Sequence, residues 1–187
     1  MIKNYNYCKY TYLHRKALHY YIEKNNYLEN QEKEILLKRA KIHDMDKLTL
    51  YLFRDKETAS KYHRENASHH IKKGKAFTQE DILESIFDYE CAALTKPDKP
   101  LNAYDTVMKY YPEFKDLYLP KLERLHMNSS YLAVTEEDKE FIEKIVVTEN
   151  LILKEVSEYL NNTPKNIYRQ LKSKLCTDKE YEMLIRL

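Results

Sequence analysis

Glycine and tryptophan are scarce in this chain, and the scarcity bounds the fold. The sequence contains one glycine, five prolines and no tryptophan among 187 residues. Tight hairpin turns depend on glycine and proline, so the chain has little material for them. Lysine, glutamate and leucine are abundant by contrast, and these residue types favour helices. We therefore expect an all-α fold, with enough length for one domain and a small extension.

Closely spaced cysteines are also missing. Cys8, Cys91 and Cys176 lie far apart, and no CxxC pair exists. This excludes zinc ribbons and thioredoxin-like redox motifs. Three dispersed cysteines indicate a reduced, intracellular protein.

Long apolar runs and an excess of one charge are absent as well. No run approaches 18 apolar residues, and the amino-terminal residues lack the apolar core of a signal peptide. We therefore expect a cytoplasmic protein without a membrane partner. Lysine and arginine total 32 against 30 aspartates and glutamates, so the net charge of +2 provides no general attraction to nucleic acid.

A histidine–aspartate doublet, His43 and Asp44, is the most informative feature that the chain does contain, and Lys47 follows it closely. Imidazole and carboxylate groups are good ligands for transition metals. A lysine nearby supplies a positive charge that suits a phosphate. Adjacent residues on a helix point about 100° apart, so the doublet can converge on one ion only near a helix end or at a bend.

The first two predicted helices each bring a histidine to their apolar face. The first covers about residues 9–25, where an amphipathic stripe includes His14 and leaves His19 on the opposite side. The second starts near Asn30 and continues into the doublet, with His43 on the same face as Leu36. A single inward histidine is usually a satisfied core residue, but two on successive helices favour a shared site.

Three further histidines, His63, His69 and His70, lie in a charged stretch over residues 54–73. On an unbroken helix His63 and His70 share one face about 10 Å apart, so each can serve one end of a two-ion site. A break near Ser68 would exchange the roles of His69 and His70, and the choice between them stays open. The alternative for this stretch is a solvated polar helix.

The last candidate ligand is Asp88. Gly74 is predicted to stop the preceding helix, and Thr78 is predicted to cap the next one, with Asp81 at its third position. Asp88 lies on the rim of that helix's apolar arc beside Cys91, where a carboxylate is usually solvated. As a ligand it requires the helix edge to face the site.

These candidates occur in a defined order along the chain: His14, His43, Asp44, His63, His69 or His70, and Asp88. The order resembles that of the HD-domain metal-dependent phosphohydrolases, and more narrowly a small HD-like family of bacteria and phages. The likeness covers roughly residues 10–125 and rests on residues 43–48, 62–70 and 87–89 followed by 96–97. The chain departs from the pattern of this family at two positions: Asp46 stands where glycine or serine is usual, and Ser68 stands where proline is frequent.

The resemblance implies an HD-like helical bundle that binds one or two ions of iron, manganese, zinc, nickel, cobalt or magnesium. It assigns all the ordered candidates as metal ligands, with Asp44 and Lys47 as catalytic residues. The implied activity is hydrolysis of a phosphate ester, for which a nucleotide is a candidate, by a metal-activated water. The extra negative charge of Asp46 is expected to weaken phosphate binding or to change the substrate.

The carboxyl-terminal part of the chain predicts a separate feature. We expect an HD-like domain over residues 1–130 and a helical extension over residues 131–187, in which Thr135 caps a helix. Residues 153–172 resemble bacterial helix-turn-helix modules, with basic residues such as Arg169 on the second helix. A plain helical hairpin is the alternative. DNA is therefore a candidate partner, and a regulatory protein with a structural or degenerate metal site is the alternative to an enzyme.

Overall fold

The structure of the protein is a computed structural model that describes residues 2, 4–96, 101–130, 134–162 and 179. Within these residues the chain forms α-helices and one 3₁₀ turn but no β-strand, which confirms the predicted all-α class. The helices are α1 (Tyr5–Lys24), α2 (Asn30–Ala40), α3 (Met45–Phe53), α4 (Lys56–Asn66), α5 (Gln79–Thr95), α6 (Ala103–Tyr110), α7 (Lys115–Arg124), α8 (Glu136–Glu143) and α9 (Glu149–Asn162), with the 3₁₀ turn at Pro112–Phe114.

The chain divides into two compact units. Unit 1 contains the described residues of Met1–Tyr12, Ile42–Ala67 and Val146–Leu187. In it, α3 packs against α4 and α9, and the apolar faces of these helices form its core. The buried apolar side chains include Leu48, Leu50, Ile152, Val156 and Leu160. Near the start of α1, the amide of Asn4 donates to the carbonyls of Tyr51 and Arg54 at the end of α3.

Unit 2 contains the described residues of Leu13–Lys41 and Ser68–Ile145. Its central element is α5, which packs against α2, α6 and α7 and buries most of its side chains. Phe87 of α5 and Tyr118 of α7 are among the largest fully buried residues. The Tyr118 hydroxyl also bonds to that of Ser85 at 2.9 Å, so the core carries a satisfied polar contact.

Helix caps follow the predicted chemistry at two positions. The hydroxyls of Thr78 and Thr135 each accept a hydrogen bond from the backbone amide of the third helical residue. The carboxylates of those residues, Asp81 and Asp138, accept one in return from the threonine amides. These capping boxes confirm both predicted helix starts. The boxes satisfy backbone donors that would otherwise lack a helical partner.

Helix ends differ from the sequence-based expectations in three places. The second helix does not continue into the doublet, because α2 ends at Ala40 and a turn follows. Helix α4 ends at Asn66 and Ala67 is extended, which confirms the alternative of a break near Ser68. Gly74 is therefore not a helix stop. It lies in a later turn with φ +81°, a conformation that glycine adopts without a side-chain penalty.

The carboxyl-terminal prediction is covered only in part. Helix α9 includes the first helix of the proposed helix-turn-helix, whereas its second helix, from Thr163 onward, lies outside the described residues. The division of the chain at residue 130 stays a prediction. Among the residues that the structure describes, no helix has the length and apolarity needed to cross a membrane.

Candidate metal centre

The doublet lies at a bend, as its chemistry requires. Asp44 has φ 56° and ψ 12°, a left-handed conformation that is unusual for a residue other than glycine. It directly precedes α3, and its carbonyl accepts the Leu48 amide at 2.8 Å. The Met45 amide closes the preceding turn on the Ile42 carbonyl at 3.2 Å. Such strained backbone positions persist where surrounding structure holds them, often at functional sites.

Asp44 is the centre of a group in unit 1 that we call the Asp44 cluster. It contains the buried residues His43, Asp44 and His63 and the half-buried residues Asp46 and Lys47. One oxygen of Asp44, Oδ1, lies 2.8 Å from Nε2 of His63 and 3.6 Å from Nε2 of His43. The other oxygen, Oδ2, accepts a hydrogen bond from Nζ of Lys47 at 3.1 Å. Both oxygens of one carboxylate are therefore engaged by nitrogen atoms.

The electrostatics of the cluster keep Asp44 ionised. Burial opposes its charge, but Lys47, His63 and His43 outweigh burial and hold the pKa of Asp44 well below its usual range. A buried carboxylate that stays charged is a strong ligand for a cation.

His63 lies between two carboxylates. Its Nδ1 is 2.9 and 3.0 Å from the two oxygens of Asp46, while Nε2 faces Asp44. Burial disfavours the imidazolium, but Asp44 and Asp46 more than compensate and raise the pKa of His63 to about 9. Asp46 thus holds the Nδ1 proton and leaves Nε2 directed at Asp44. A carboxylate on the second nitrogen is the usual outer partner of a metal-binding histidine.

The role of Asp46 is the feature that sequence reasoning missed. The sequence presented it as an extra negative charge near a phosphate site, whereas in the structure its carboxylate is bonded to His63. The two residues are 17 positions apart and lie on different helices, α3 and α4. No helical spacing connects them, so only the packing of α3 on α4 reveals the pair.

Unit 2 contains a second group, the Asp88 cluster: His14, Asp88, Cys91 and Thr95. His14 is 2% exposed, as its apolar stripe predicts, and its Nε2 lies 2.6 Å from Oδ1 of Asp88. Its Nδ1 is 3.0 Å from the Thr95 hydroxyl, which in turn donates to the Cys91 carbonyl at 3.1 Å. A hydroxyl that gives its proton to this carbonyl accepts from Nδ1, and Nε2 then faces Asp88.

This hydrogen-bond pattern makes the His14–Asp88 contact chemically informative. A neutral imidazole with its proton on Nδ1 presents a lone pair at Nε2. In that tautomer the lone pair and the carboxylate oxygen are both acceptors, so a proton or a metal ion between them completes the contact. The predicted rim carboxylate Asp88 does turn toward a histidine in this unit.

Cys91 belongs to the same cluster. Its Sγ lies 3.5 and 3.8 Å from Nδ1 and Nε2 of His14, and it donates to the Asp88 carbonyl at 3.3 Å. The sequence identified Cys91 only as a neighbour of Asp88. The signal that could have found the group is helical spacing, since residues at i, i+3 and i+7 lie on one face.

His69 and His70 belong to unit 2 and follow the end of α4 in the sequence. A ligand nitrogen of His69 lies within 4.8 Å of a carboxylate oxygen of Asp88, and the His69 and His70 ring centroids are 4.7 Å apart. His69 is buried, whereas His70 is half-buried. Of the two alternatives that the sequence leaves open, burial favours His69.

His69 also has a carboxylate beside its ring. Its Nδ1 is 3.6 Å from Oε1 of Glu84, whose Oε2 accepts a hydrogen bond from Arg39 at 2.6 Å. Arg39 donates as well to Asp81 and Ser68. This network holds the segment that carries His69 against α5.

The donor set fits a transition metal. Buried imidazoles and ionised carboxylates, each placed within reach of another, are the ligands that zinc, iron, manganese and related ions use in proteins. Five of the seven predicted ligands are buried: His14, His43, Asp44, His63 and His69. Burying so many ionisable groups costs free energy that a structural core does not require.

Comparisons with family models, curated proteins and solved structures find no match to this chain. The HD-type interpretation of the two clusters therefore remains a proposal.

Proposed function

We propose that the protein is an HD-type metal-dependent phosphohydrolase that acts on a phosphate ester, with nucleotides as the first substrates to test. The observation that carries the proposal is the Asp44 carboxylate. It is buried and ionised, shared by two imidazoles on one oxygen and bonded to Lys47 on the other. Such an arrangement offers donor atoms to a metal ion and a positive charge to a phosphate.

The proposed ligands of one or two metal ions are His14, His43, Asp44, His63, His69 or His70, and Asp88. Such ions, when bound, lower the pKa of a water molecule and polarise a phosphoryl oxygen. Iron, manganese, zinc, nickel, cobalt and magnesium all accept subsets of these donors, and the abundance of imidazole favours the transition metals over magnesium.

Lys47 is proposed to bind the substrate phosphate. Its ammonium group contacts Asp44, yet its side chain remains 19% exposed, whereas Asp44 itself is buried. The side chain thus connects the buried carboxylate with the surface. A lysine so placed can donate a hydrogen bond to a phosphate oxygen and stabilise the negative charge that develops on it.

Asp46 and Asp88 are proposed to contribute in different ways. Asp46 acts as a positioning residue, because its carboxylate is bonded to Nδ1 of His63 and orients the ring. Its negative charge is thereby matched by an imidazole proton. Asp88 is proposed as a direct ligand, because its oxygen lies 2.6 Å from Nε2 of His14, where the two atoms can share one ion.

Metal analysis of the purified protein, paired with a phosphatase panel of nucleotides and a model diester, tests the proposal. We expect bound transition metal and release of phosphate or hydrolysis of the diester, and loss of both in His43→Ala. His19→Ala is the matched control. His19 lies on α1 with a partly exposed side chain, and its ion pair in the described residues is with Glu23, which is also partly exposed. Protein that stays metal-free after growth and incubation with these ions would sink the proposal.

The regulatory alternative predicts a different outcome of the same panel. Metal would bind, but no substrate would turn over, and the protein would bind DNA in a salt-sensitive manner. Arg169→Ala would then weaken DNA binding, because arginine on a recognition helix contacts phosphate or base edges.

A further inference from the structure

We propose that Cys91 completes a nitrogen–oxygen–sulfur metal site with His14 and Asp88, and that this site prefers zinc and the softer cadmium to manganese and magnesium. The inference rests on the proposed metal-binding function and specifies its chemistry. His14, Asp88 and Cys91 offer one ligand atom each within 4.8 Å of one another, all inside unit 2. Thiolate sulfur selects soft and borderline ions over hard ones.

The distances suit a shared ion. Two ligands of one tetrahedral zinc ion, a nitrogen at about 2.0 Å and a sulfur at about 2.3 Å, lie about 3.5 Å apart. The Sγ atom of Cys91 is 3.8 Å from Nε2 of His14. The Nε2–Oδ1 distance of 2.6 Å is a direct hydrogen-bond contact and must open by about 0.7 Å as an ion replaces the proton.

The surrounding hydrogen bonds already orient the ring for this role. The Thr95 hydroxyl lies 3.0 Å from Nδ1 of His14, which leaves Nε2, the nitrogen beside Asp88, to bind the metal. The sulfur of Cys91 lies near both ring nitrogens, 3.5 Å from Nδ1 and 3.8 Å from Nε2. Asp88, Cys91 and Thr95 come from one face of α5, a rigid element that fixes their spacing. An outer partner on the second nitrogen is what a metal-binding histidine requires.

The burial of Cys91 supports a ligand role. The side chain has no exposed surface, and it lies against a polar ring as well as among apolar neighbours. When Cys91 binds the ion as a thiolate, the sulfur–metal bond replaces the S–H bond, and the proton leaves to solvent. His14 contributes a neutral nitrogen and Asp88 a carboxylate, so two negative charges meet one divalent cation.

Cobalt substitution tests the inference. The full-length protein is stripped with a chelator and titrated with Co²⁺, and the absorption spectrum is recorded together with the cobalt content. A cobalt–thiolate bond produces a charge-transfer band in the near ultraviolet. We expect this band in the unmodified protein and in Cys8→Ser, and its loss in Cys91→Ser. Cys8 is the matched control because it is equally buried but belongs to unit 1.

The possible outcomes test the role of Cys91 as a ligand separately from the presence of a metal site. Bound cobalt without the band, or a band that persists in Cys91→Ser, would overturn the role of Cys91 and leave the proposed hydrolase intact. Absence of bound cobalt would overturn both. Cadmium-113 NMR of the unmodified protein decides the question without any substitution, since a sulfur ligand shifts the resonance strongly downfield from that of a nitrogen–oxygen site.

Discussion

The Asp44 cluster and the Asp88 cluster use the same residue types to build different environments. In the Asp44 cluster two carboxylates flank one imidazole, and a lysine contacts the central carboxylate. In the Asp88 cluster one carboxylate faces one imidazole, and the remaining partners of the ring are a hydroxyl and a thiol. The first cluster gathers several charged groups around one carboxylate, whereas the second sets a single carboxylate among uncharged hydroxyl and thiol partners of the ring.

The two clusters also differ in how the chain assembles them. His63 is 17 positions from Asp46, and the helices that carry them are neighbours in sequence. His14 is 74 positions from Asp88 and 77 from Cys91. Of the two clusters, only the Asp44 cluster contains a strained backbone position, the left-handed conformation of Asp44. In the Asp88 cluster the packing of two regular helices brings the side chains together, whereas in the Asp44 cluster a bend in the backbone does so.

The largest expected effect comes from replacing Asp44 by glycine. Asp44→Gly keeps the left-handed backbone but removes both carboxylate oxygens, so we expect loss of bound metal and a decrease in kcat/KM of at least about a thousandfold. The measurement is metal content together with steady-state kinetics on the best substrate of the panel.

His126→Gly is the matched control for that change. His126 is the other non-glycine residue with positive φ in the described part of the chain, and it ends α7 in unit 2. Relief of its backbone strain offsets loss of the stacking with Tyr27, so we expect the free energy of unfolding to change by less than about 1 kcal/mol. Equal loss of metal in both variants would show that the loss follows from a glycine substitution in general and not from removal of the Asp44 carboxylate.

A smaller effect is expected from Asp46→Asn. The amide keeps the size of the side chain but no longer stabilises the protonated ring, so the pKa of His63 should fall from about 9. Loss of an outer partner of this kind weakens metal affinity by about 10–100-fold. The histidine NMR titration of the metal-free protein and a metal-binding isotherm measure the two effects.

Asp116→Asn is the control, because Asp116 is an exposed acid in the first turn of α7, as Asp46 is an acid in the first turn of α3. An Asp46→Asn variant with unchanged metal affinity would exclude Asp46 as a positioning residue and restore its interpretation as an unfavourable charge near the substrate.

The smallest expected effect on the metal comes from Asp138→Asn, which alters a buried carboxylate that has no histidine partner. Asp138 pairs with Lys24 and accepts a hydrogen bond from the Tyr21 hydroxyl at 3.2 Å. We expect the free energy of unfolding to fall by about 2 kcal/mol while metal content stays unchanged. Glu137→Gln, an exposed neighbour on α8, should have little effect on either quantity.

The pH dependence of this stability difference follows from the pKa of Asp138. Burial raises it, but the hydrogen bonds from Lys24 and the Thr135 backbone lower it below the ordinary value of 3.8. A lowered folded-state pKa contributes stability that is complete above the unfolded value and is lost as the pH falls through the folded value. Urea unfolding should therefore show a constant difference between the proteins above about pH 5, which shrinks below about pH 4.

Much of this architecture follows from local patterns. The one glycine and the abundance of helix formers indicate helices throughout, and the capping boxes at Thr78 and Thr135 determine two helix starts. The apolar stripe of α1 distinguishes buried His14 from His19, whose side chain is 36% exposed. These features depend on residues within a few turns of one another, so the sequence contains all the information they need.

Pairings between helices required the folded chain. The bond between Asp46 and His63, the contacts of His14 with Asp88 and Cys91, and the contact of His69 with Glu84 each join different elements. Amphipathic periodicity states which face of a helix is buried but not which residue it meets. The sequence by itself determined the helices and the histidines that turn inward, whereas tertiary packing decided which carboxylate or thiol each ring contacts, because side-chain partners depend on helix-to-helix register.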